Sequence, residues 1–453
     1  MAKKLFGTDG IRGTAGQPPL DPRTITALGM ALAEDLERRE PGGPPVLIGP
    51  VLIGMDTRES GPAIAAELAS GLRTGGVRSE FAGVLTTPGV AYLTRTGDYS
   101  AGIMISASHN PFEDNGIKVF AHNGFKLPDA EEHEVEEAIF RLLPGVEDQD
   151  QADALVPSVS PRPYLEFLLS TLTARQPLTG LKIVMDCGNG AASALAPRLF
   201  RDAGAQVRAI CNEPNGRNIN LNCGALHLEN LRAQVLESGA DAGVAFDGDA
   251  DRAMLIAPSG RVVDGDAMLL IAARRLQADG HLPANLVIST VMSNLGLEKA
   301  LGRLGIAMVR TPVGDKYVLE DMVRREAALG GEQSGHIIFR EYATTGDGML
   351  TALKVLETAR LAGATLDALM ADLVVYPQLL VNVRVKERRP LEQLPRVTDE
   401  IHACEAELNG SGRILVRYSG TEPLLRVMVE GPEQGQVQRL ADRVADAIHA
   451  DMG

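Results

Sequence analysis

The sequence predicts an α/β protein that ends in a smaller α+β domain, and two patterns support this. Three segments share one order: an apolar strand, a turn of small residues, and an amphipathic helix that stops near a glycine. The C-terminal part differs, because two strand-like runs enclose a short polar loop and a helix follows them. With 453 residues the chain has room for about three or four domains.

The α/β segments read, in chain order, PVLIGMDTRESGPAIAAELASGLRTGG, LKIVMDCGNGAASALAPRLFRDAGA and NLVISTVMSNLGLEKALGRLGI. In each, a short apolar run suits a buried strand, and apolar side chains then recur at helical spacing. The tail supplies the strands GRILVRYSG and EPLLRVMVEG and the closing helix GQVQRLADRVADAIHADM. Turn-forming stretches place the predicted domains at 1–160, 161–260, 261–376 and 377–453.

Charge and composition exclude several classes of function. The formal net charge is −15 and the pI is near 5.1, so long-range electrostatics repel nucleic acid and anionic membranes. No stretch approaches the roughly 20 apolar residues of a transmembrane helix, and the start MAKKLFGTDG has no signal-peptide core. We therefore expect a cytoplasmic protein in which an anionic substrate is captured by locally concentrated Arg and Lys.

The four cysteines carry no metal-binding or disulfide pattern. Cys187, Cys211, Cys223 and Cys404 are scattered along the chain without a CxxC pair. We expect reduced thiols rather than a disulfide framework or a zinc site.

The stretch GIMISASHNP offers a serine outside any hydrolase motif. A Gly-x-Ser-x-Gly elbow centred on Ser108 would need glycine where the chain has Ser106 and Asn110. Asn110 followed by Pro111 fits a helix N-cap with proline at the first helical position. Ser108 would then lie just before a helix N-terminus, where an anion is favoured and a phosphoryl group can be carried. A simple capping turn is the alternative.

The stretch VAFDGDADRAML predicts a metal site. Asp247, Asp249 and Asp251 follow an apolar strand, and three such close carboxylates repel unless a hard cation such as Mg²⁺ or Ca²⁺ holds them. An EF-hand needs glycine at its sixth position and glutamate at its twelfth, where the chain has Arg252 and Pro258. We predict one Mg²⁺ per chain, with a coordination position left for a phosphate oxygen. A solvated acidic turn is the alternative.

Other stretches supply groups for a phosphorylated sugar. The loop in VRYSGTEPLLRV suits a phosphate cradle, and a capping box is the alternative. Its candidate residues are Arg417, Ser419, Gly420, Thr421 and Arg426. In GGEQSGHIIF, a carboxylate and a hydroxyl suit sugar hydroxyls, and His336 is a candidate polar contact or proton carrier, with an incidental loop histidine as the alternative. KLFGTDGIRG offers Arg12, and Lys118 in DNGIKVF is a candidate proton-transfer group, with a solvated strand end as the alternative.

Five motifs in order, KLFGTDGIRG, ISASHNPFEDNGIK, FDGDADR, GGEQSGH and RYSGTEPLLRVMVEG, make the chain similar to the α-D-phosphohexomutase superfamily from end to end. The resemblance implies four domains around a central cleft, the first three α/β with mixed sheets and the last smaller. It implies that Ser108, as a phosphoserine, exchanges its phosphoryl group with a bisphosphorylated sugar. It also implies that Ser108 and the three aspartates bind Mg²⁺ and that Arg12, His109 and Lys118 are catalytic.

Details of the sugar loop favour the branch of the superfamily that acts on glucosamine phosphates. Gln333 stands where relatives acting on mannose or glucose phosphates commonly have Met, and Asp315 stands where they carry His. The implied reaction interconverts glucosamine 6-phosphate and glucosamine 1-phosphate for cell-envelope precursors. A phosphomannomutase/phosphoglucomutase is the alternative within the superfamily. The implied substrate-binding set is Arg252, Asp315, Lys316, Glu332, Gln333, Ser334 and His336.

The remaining expectations concern catalysis and partners. A sugar-phosphate-binding protein without activity is disfavoured, because Ser108, Lys118 and all three aspartates are intact. The expected partner is a small phosphosugar, with neither nucleic acid nor membrane, and a homodimer is compatible with the sequence.

Overall fold

The structure is a computed structural model that describes residues 5–7, 9–38, 49–147, 152–418 and 424–452. These residues contain four β-sheets, of six, five, four and three strands. They divide into two compact units. The first unit comprises Met1–Val291 and Met308–Met370, and the second comprises Met292–Ala307 and Ala371–Gly453.

The first sheet and its helices come from the N-terminal part of the first unit. In chain order they are β1 (Phe6–Gly7), β2 (Gly10–Thr14), α1 (Pro22–Arg38), β3 (Val51–Met55), α2 (Gly61–Thr74), β4 (Ser79–Val84), α3 (Thr87–Thr96), β5 (Ala101–Ile105), β6 (Asp114–Ala121) and α4 (Asp129–Leu142). The strand order is β1-β2-β6-β5-β3-β4. The sheet is mixed, because β3 is parallel to β4 and β5 whereas β6 is antiparallel to β5 and β2.

Helices α1 and α2 pack closely where both carry glycine. A Cβ added at Gly71 would lie 2.2 Å from the backbone oxygen of Thr26, and one at Gly29 would lie 2.5 Å from that of Leu68. Both distances are well inside van der Waals contact, so a larger residue would push the helices apart. The two glycines therefore set the spacing of this helix pair.

The second sheet lies in the middle of the first unit. Its elements are α5 (Arg162–Ser170), β7 (Lys182–Asp186), α6 (Ala192–Asp202), β8 (Gln206–Ile210), α7 (Glu229–Ser238), β9 (Ala242–Phe246), β10 (Ala253–Ile256) and β11 (Val262–Val263). The strand order is β11-β10-β9-β7-β8, with β7 parallel to β8 and β9 and with β10 antiparallel to β9. The hairpin from β9 to β10 carries the predicted metal loop.

The third sheet has the order β13-β12-β14-β15. The elements of this stretch are α8 (Gly265–Ala278), β12 (Leu286–Thr290), α9 (Leu295–Arg303), β13 (Ala307–Thr311), α10 (Asp315–Arg324), β14 (Leu329–Gly331), β15 (Ile337–Phe339), α11 (Gly348–Ala362) and α12 (Leu366–Leu369). Strand β14 is parallel to β12 and antiparallel to β15, so this sheet is also mixed. Helix α9 belongs to the second compact unit.

The second unit is built on a three-stranded antiparallel sheet of order β16-β18-β17. The strands and helices of this unit form a small α+β arrangement. In chain order they are β16 (Gln378–Arg384), α13 (Pro395–Leu408), β17 (Arg413–Tyr418), β18 (Leu424–Glu430) and α14 (Gln434–Met452). Val427 and Val429 of β18 share one hydrophobic core with Leu440 and Val444 of α14.

The predicted fold class is confirmed. The three strand–helix segments form β3–α2, β7–α6 and β12–α9, and the tail forms β17, β18 and α14. The domain boundaries at 160, 260 and 376 stay a prediction, since α9 groups with the C-terminal unit. In the described part of the chain, every helix is too short or too polar to cross a membrane.

Candidate active site

Ser108 lies in a tight turn rather than before a helix. Residues 106–113 join β5 to the antiparallel strand β6. The predicted helix start at Asn110–Pro111 is therefore wrong, because the chain returns as a strand from Asp114. Within the turn, Asn110 Nδ2 donates to Asp114 Oδ2 at 3.0 Å. Ser108 has a φ of +53°, a left-handed conformation that is uncommon for serine.

A buried ion pair holds this turn from the sheet side. Arg58 is 1% exposed, and its Nε lies 3.0 Å from Asp56 Oδ2. Its guanidinium also donates to backbone carbonyls at 3.0, 2.9 and 2.5 Å, those of Ser108, Asn110 and Pro111. Asp56 accepts from Ser106 Oγ at 2.6 Å, and Ser106 Oγ accepts from the Ser108 N–H at 2.8 Å. Arg58 and Asp56 therefore fix both the carbonyl side and the amide side of the turn.

Three buried carboxylates form the predicted cluster beside the Ser108 hydroxyl. One oxygen each of Asp247, Asp249 and Asp251 lies within 4.8 Å of the others. Ser108 Oγ donates to Asp247 Oδ2 at 2.6 Å. Within the described residues, Asp249 Oδ1 and Asp251 Oδ1 are buried without a hydrogen-bond partner. Carboxylate oxygens that lack donors are the ligands a hard divalent cation takes, so these residues fit Mg²⁺.

Lys118, on β6, contacts the same carboxylates. Its Nζ lies 2.8 Å from Asp249 Oδ2, 3.2 Å from Asp251 Oδ2 and 3.3 Å from Asp9 Oδ2. Burial alone would lower the pKa of Lys118, but the three carboxylates hold that pKa well above its usual value. Lys118 is therefore an ammonium, which donates hydrogen bonds to Asp249 and Asp251.

The pKa values of two aspartates in the cluster shift in opposite directions. Burial raises the pKa of Asp247 well above its usual value, and the charges of Asp251 and Asp249 raise it further. Burial also acts on Asp251, but Lys118 and His336 hold the pKa of that carboxyl well below its usual range. The cluster therefore contains one carboxyl whose pKa is raised and one whose pKa is lowered.

A second charged network extends from Asp9. Arg12 Nη2 and Lys126 Nζ each lie 2.5 Å from an Asp9 oxygen, and Lys126 Nζ lies 2.5 Å from Asp315 Oδ2. Burial acts to raise the pKa of Asp9, but Lys118, Lys126 and Arg12 hold it well below its usual range. Two of the predicted site residues, Arg12 and Asp315, are thus joined to Lys118 through Asp9 and Lys126.

His109 and Arg252 flank the carboxylates. His109 Nδ1 lies 3.3 Å from Ser108 Oγ, and burial, followed by the charges of Arg252 and Arg12, lowers the pKa of His109 to about 4. His109 is therefore neutral near pH 7. The Arg252 N–H donates to Asp247 Oδ1 at 3.2 Å.

The loop between β14 and β15 holds the predicted sugar-binding residues. Glu332 accepts from the Gly314 N–H at 3.2 Å and from Ser334 Oγ at 3.3 Å. His336 Nε2 accepts from the Gly346 N–H at 2.9 Å, and its Nδ1 lies 3.7 Å from Asp251 Oδ1. This orientation ties the sugar loop to the carboxylate cluster.

Two members of the predicted substrate set contact groups outside that loop. Gln333 Nε2 donates to Asp264 Oδ2 at 3.4 Å, and Asp264 caps α8 by accepting from the Ala267 N–H. Lys316 pairs with the exposed Asp129.

The predicted phosphate cradle lies in the second unit. Arg417 on β17 and Arg426 on β18 are direct cross-strand partners. Burial, together with the charge of Arg426, lowers the pKa of Arg417. Two adjacent guanidinium groups make a favourable place for an anion. Ser419, Gly420 and Thr421 lie outside the described residues.

Comparison with known proteins identifies the family. Models of the phosphoglucomutase/phosphomannomutase family match the chain as α/β/α domain I at 3–144, domain II at 162–260, domain III at 264–376 and the C-terminal domain at 380–447. A curated relative from Solibacter usitatus, named phosphoglucosamine mutase, is 58% identical over 455 residues and covers 100% of both chains. The chain belongs to the phosphoglucosamine mutases of this family. It is therefore an isomerase.

Solved structures share the fold. A phosphoglucomutase/phosphomannomutase family protein from Burkholderia thailandensis is similar with a TM-score of 0.79 at 23% identity, over 99% of this chain and 97% of its own. The Aspergillus fumigatus N-acetylphosphoglucosamine mutase, solved in complex with GlcNAc-6P and magnesium, is similar with a TM-score of 0.64 at 18% identity, over 99% and 96%.

The structure adds residues to the candidate site that the sequence motifs did not predict. Arg58, Asp56, Lys126 and Asn220 carry no motif of their own, although Asp56 and Arg58 follow the end of β3 as Asp9 follows β1. Asn220 Nδ2 donates to the Ser108 carbonyl at 2.9 Å, from 112 residues away. The signal for Asp56 and Arg58 in the sequence is the apolar run VLIGM, typical of a buried strand, which is followed directly by charged residues.

We predict that Arg58→Met loosens the Ser108 turn. The change leaves the Asp56 carboxylate buried without its cation and removes one donor from each of three carbonyls, so the free energy of unfolding should fall by about 3 to 5 kcal/mol. Urea denaturation and mutase kinetics measure both effects. Arg162→Met, which removes an exposed pair with Glu166, is the control and should leave both unchanged. Equal stability of the two variants would contradict the assignment.

Proposed function

We propose that the chain interconverts glucosamine 6-phosphate and glucosamine 1-phosphate, with the phosphoryl group in transit on Ser108. The observation that carries this proposal is the buried Ser108 hydroxyl, 2.6 Å from Asp247 within a carboxylate cluster that fits a divalent cation. The relatives named phosphoglucosamine mutase support the choice of substrate.

The proposed reaction consists of two reciprocal transfers. In the first, the phosphorus–oxygen bond to Ser108 breaks as one forms to the free sugar hydroxyl, whose proton ends on Ser108 Oγ. The bisphosphorylated sugar then turns over, and its other phosphoryl group returns to Ser108. We assign the transfer of this proton to Lys118, because its Nζ contacts the carboxylate cluster beside the Ser108 hydroxyl. As the ammonium gives a proton to Ser108 Oγ, it takes up the proton that leaves the sugar hydroxyl. His109 and Arg12 complete the proposed catalytic group.

We assign one Mg²⁺ per chain to Asp247, Asp249 and Asp251, with an oxygen of phosphorylated Ser108 as a further ligand. When bound, this cation neutralises charge on the transferring phosphoryl group. The residues do the rest of the positioning, since Arg58 and Asn220 fix the Ser108 carbonyl. This pre-organisation avoids reordering the serine at each transfer.

We assign substrate recognition to two sets of residues. Glu332 offers a carboxylate for the 2-ammonium group, with Arg252, Asp315, Lys316, Gln333, Ser334 and His336 around the sugar. Arg417 and Arg426, with the Ser419–Thr421 loop, are assigned to phosphate binding. We further propose a cytoplasmic enzyme that supplies amino-sugar precursors of the cell envelope, and a homodimer as its assembly.

We predict that Ser108→Ala abolishes both protein phosphorylation and mutase turnover, because it removes the only proposed phosphoryl carrier. Ser106→Ala should keep the phosphate but lose about tenfold in kcat, because it deletes the hydrogen bond that positions the Ser108 amide. Intact-mass and peptide analysis locate the phosphate. Near-normal turnover in Ser108→Ala would refute the carrier assignment.

We predict that Asp249→Asn weakens Mg²⁺ binding and slows turnover by at least about 100-fold, since charge neutralisation is a main term in phosphoryl transfer. The fold should persist, because Lys118 keeps its contacts with Asp251 and Asp9. Calorimetric Mg²⁺ titration and kinetics give the two readouts. Asp202→Asn, at an exposed helix position, is the control. Full activity in excess chelator would count against the assignment.

We predict that the enzyme, phosphorylated on Ser108, prefers glucosamine phosphate over glucose and mannose phosphates when the three values of kcat/KM are compared. Glu332→Gln should lower kcat/KM for the amino sugar by about 10- to 100-fold more than for glucose phosphate, because a charge-assisted hydrogen bond contributes about 1.5 to 3 kcal/mol. Gln333→Met should reduce the preference for the amino sugar by a smaller factor than Glu332→Gln does, since the Gln333 amide contacts Asp264. A preference for mannose phosphate would overturn the substrate but not the Ser108 chemistry.

A further inference from the structure

A second group of metal-ligating side chains lies in the loops of the second sheet. Asp186 ends β7, Cys211 follows β8, and Cys223 precedes the short turn Gly224–Leu226. One Asp186 carboxylate oxygen and the two sulfur atoms lie within 4.8 Å of one another. This gathering departs from the sequence expectation of scattered thiols. Spacings of 25 residues from Asp186 to Cys211 and 12 from Cys211 to Cys223 match no short metal motif.

The parallel pairing of β7 and β8 produces the cluster. Asp186 lies opposite Ile210, so Asp186 and Cys211 emerge together at the carboxyl edge of the sheet. Cys211 has a φ of +47°, which turns the chain there. Asn189 ties both cysteines together, because its N–H donates to the Cys211 carbonyl at 2.6 Å and its Nδ2 lies 3.8 Å from Cys223 Sγ.

The carboxylate of Asp186 lacks a partner on one side. Its side chain is fully buried, and its Oδ1 accepts from the Gly188 N–H at 2.9 Å. Its Oδ2 is buried without a hydrogen-bond partner among the residues that the structure describes. A buried polar atom left in this way costs free energy unless another group satisfies it. Two groups can satisfy this carboxylate: the Cys211 thiol, through an S–H hydrogen bond, or a cation held together with the two sulfur atoms.

We propose that Asp186, Cys211 and Cys223 bind one thiophilic divalent cation of the Zn²⁺ class. Two sulfur ligands favour such an ion over Mg²⁺, which takes oxygen ligands like those of the Asp247 cluster. In a tetrahedral site with Zn–S bonds of about 2.3 Å, ligand sulfurs lie about 3.8 Å apart, so the two sulfur atoms, which lie within 4.8 Å of each other, close by about 1 Å or less. As the metal–sulfur bonds form, both thiols release their protons to solvent. Cys211 is half-buried, whereas Asp186 and Cys223 are buried.

The proposed cation site lies next to the loop that contacts the Ser108 turn. The Asn220 N–H donates to the Gly188 carbonyl at 2.8 Å, two residues from Asp186, and its Nδ2 donates to the Ser108 carbonyl at 2.9 Å. Asn189 also accepts, through its carbonyl, from Thr57 Oγ1 at 2.6 Å. A cation that joins Asp186, Cys211 and Cys223 therefore fixes the loop from which Asn220 holds the serine.

The test uses Co²⁺ as a spectroscopic probe on the full, anaerobically reduced chain. We expect one equivalent of Co²⁺ to produce thiolate-to-cobalt charge-transfer absorption in the near ultraviolet. Zn²⁺ should remove this absorption and excess Mg²⁺ should leave it. Cys211→Ser and Cys223→Ser should abolish it, and Asp186→Asn should weaken Co²⁺ affinity at least tenfold. Asp249→Asn should keep it, which separates this site from the carboxylate cluster.

Cys187→Ser is the matched control, because Cys187 is a buried free thiol next to Asp186 that is not part of the cluster. It should retain the charge-transfer band. A readout on the unmodified chain guards against misfolded variants: Zn²⁺ should protect Cys211 from alkylation at least tenfold, as measured by peptide mass. Absence of the band in the unmodified chain, its persistence in Cys211→Ser, or failure of Zn²⁺ to protect Cys211 from alkylation would overturn the proposal.

Discussion

The crowding of buried carboxylates around one lysine is the constraint on which the rest of the site depends. Asp9, Asp249 and Asp251 all lie within 3.3 Å of Lys118 Nζ, and all but Asp9 are almost fully buried. Buried charges are stable only when they are paired and hydrogen-bonded. The ammonium position on β6 therefore dictates where the β9–β10 loop and the N-terminal turn can come to rest.

The same constraint explains how a chain of net charge −15 can act on a phosphorylated sugar. The cations are concentrated where the anion would be handled, with Arg12, Lys118, Lys126 and Arg252 all within one connected network. Because these side chains are partly or fully buried, each ion pair is stronger than the same pair would be in water. Negative charge elsewhere on the surface is compatible with this, because it lies outside the network and is screened by salt.

The second sheet carries two clusters of different ligand chemistry at its loops. Asp247, Asp249 and Asp251 offer only oxygen, whereas Asp186 shares its cluster with the sulfur atoms of Cys211 and Cys223. Hard and thiophilic cations separate between such sites by ligand type rather than by distance. Asn220 connects the loop of the second cluster to Ser108, so the backbone behind the serine is held by both halves of the first unit.

The sequence by itself determined the fold class and the strand–helix segments, and it predicted the candidate site residues Ser108, Lys118 and the three aspartates, which the structure brings together. These follow from local patterns, because strand and helix periodicity and short motifs are written in neighbouring residues. Only the tertiary structure decided the rest. It replaced the helix expected at Asn110 with a turn, because β6 returns to pair with β5. It also brought Arg58 and Asn220 onto the Ser108 carbonyl and gathered Cys211 and Cys223 at Asp186. Such contacts depend on strand pairing between distant segments, and sequence spacing does not encode which loops meet at one edge of a sheet.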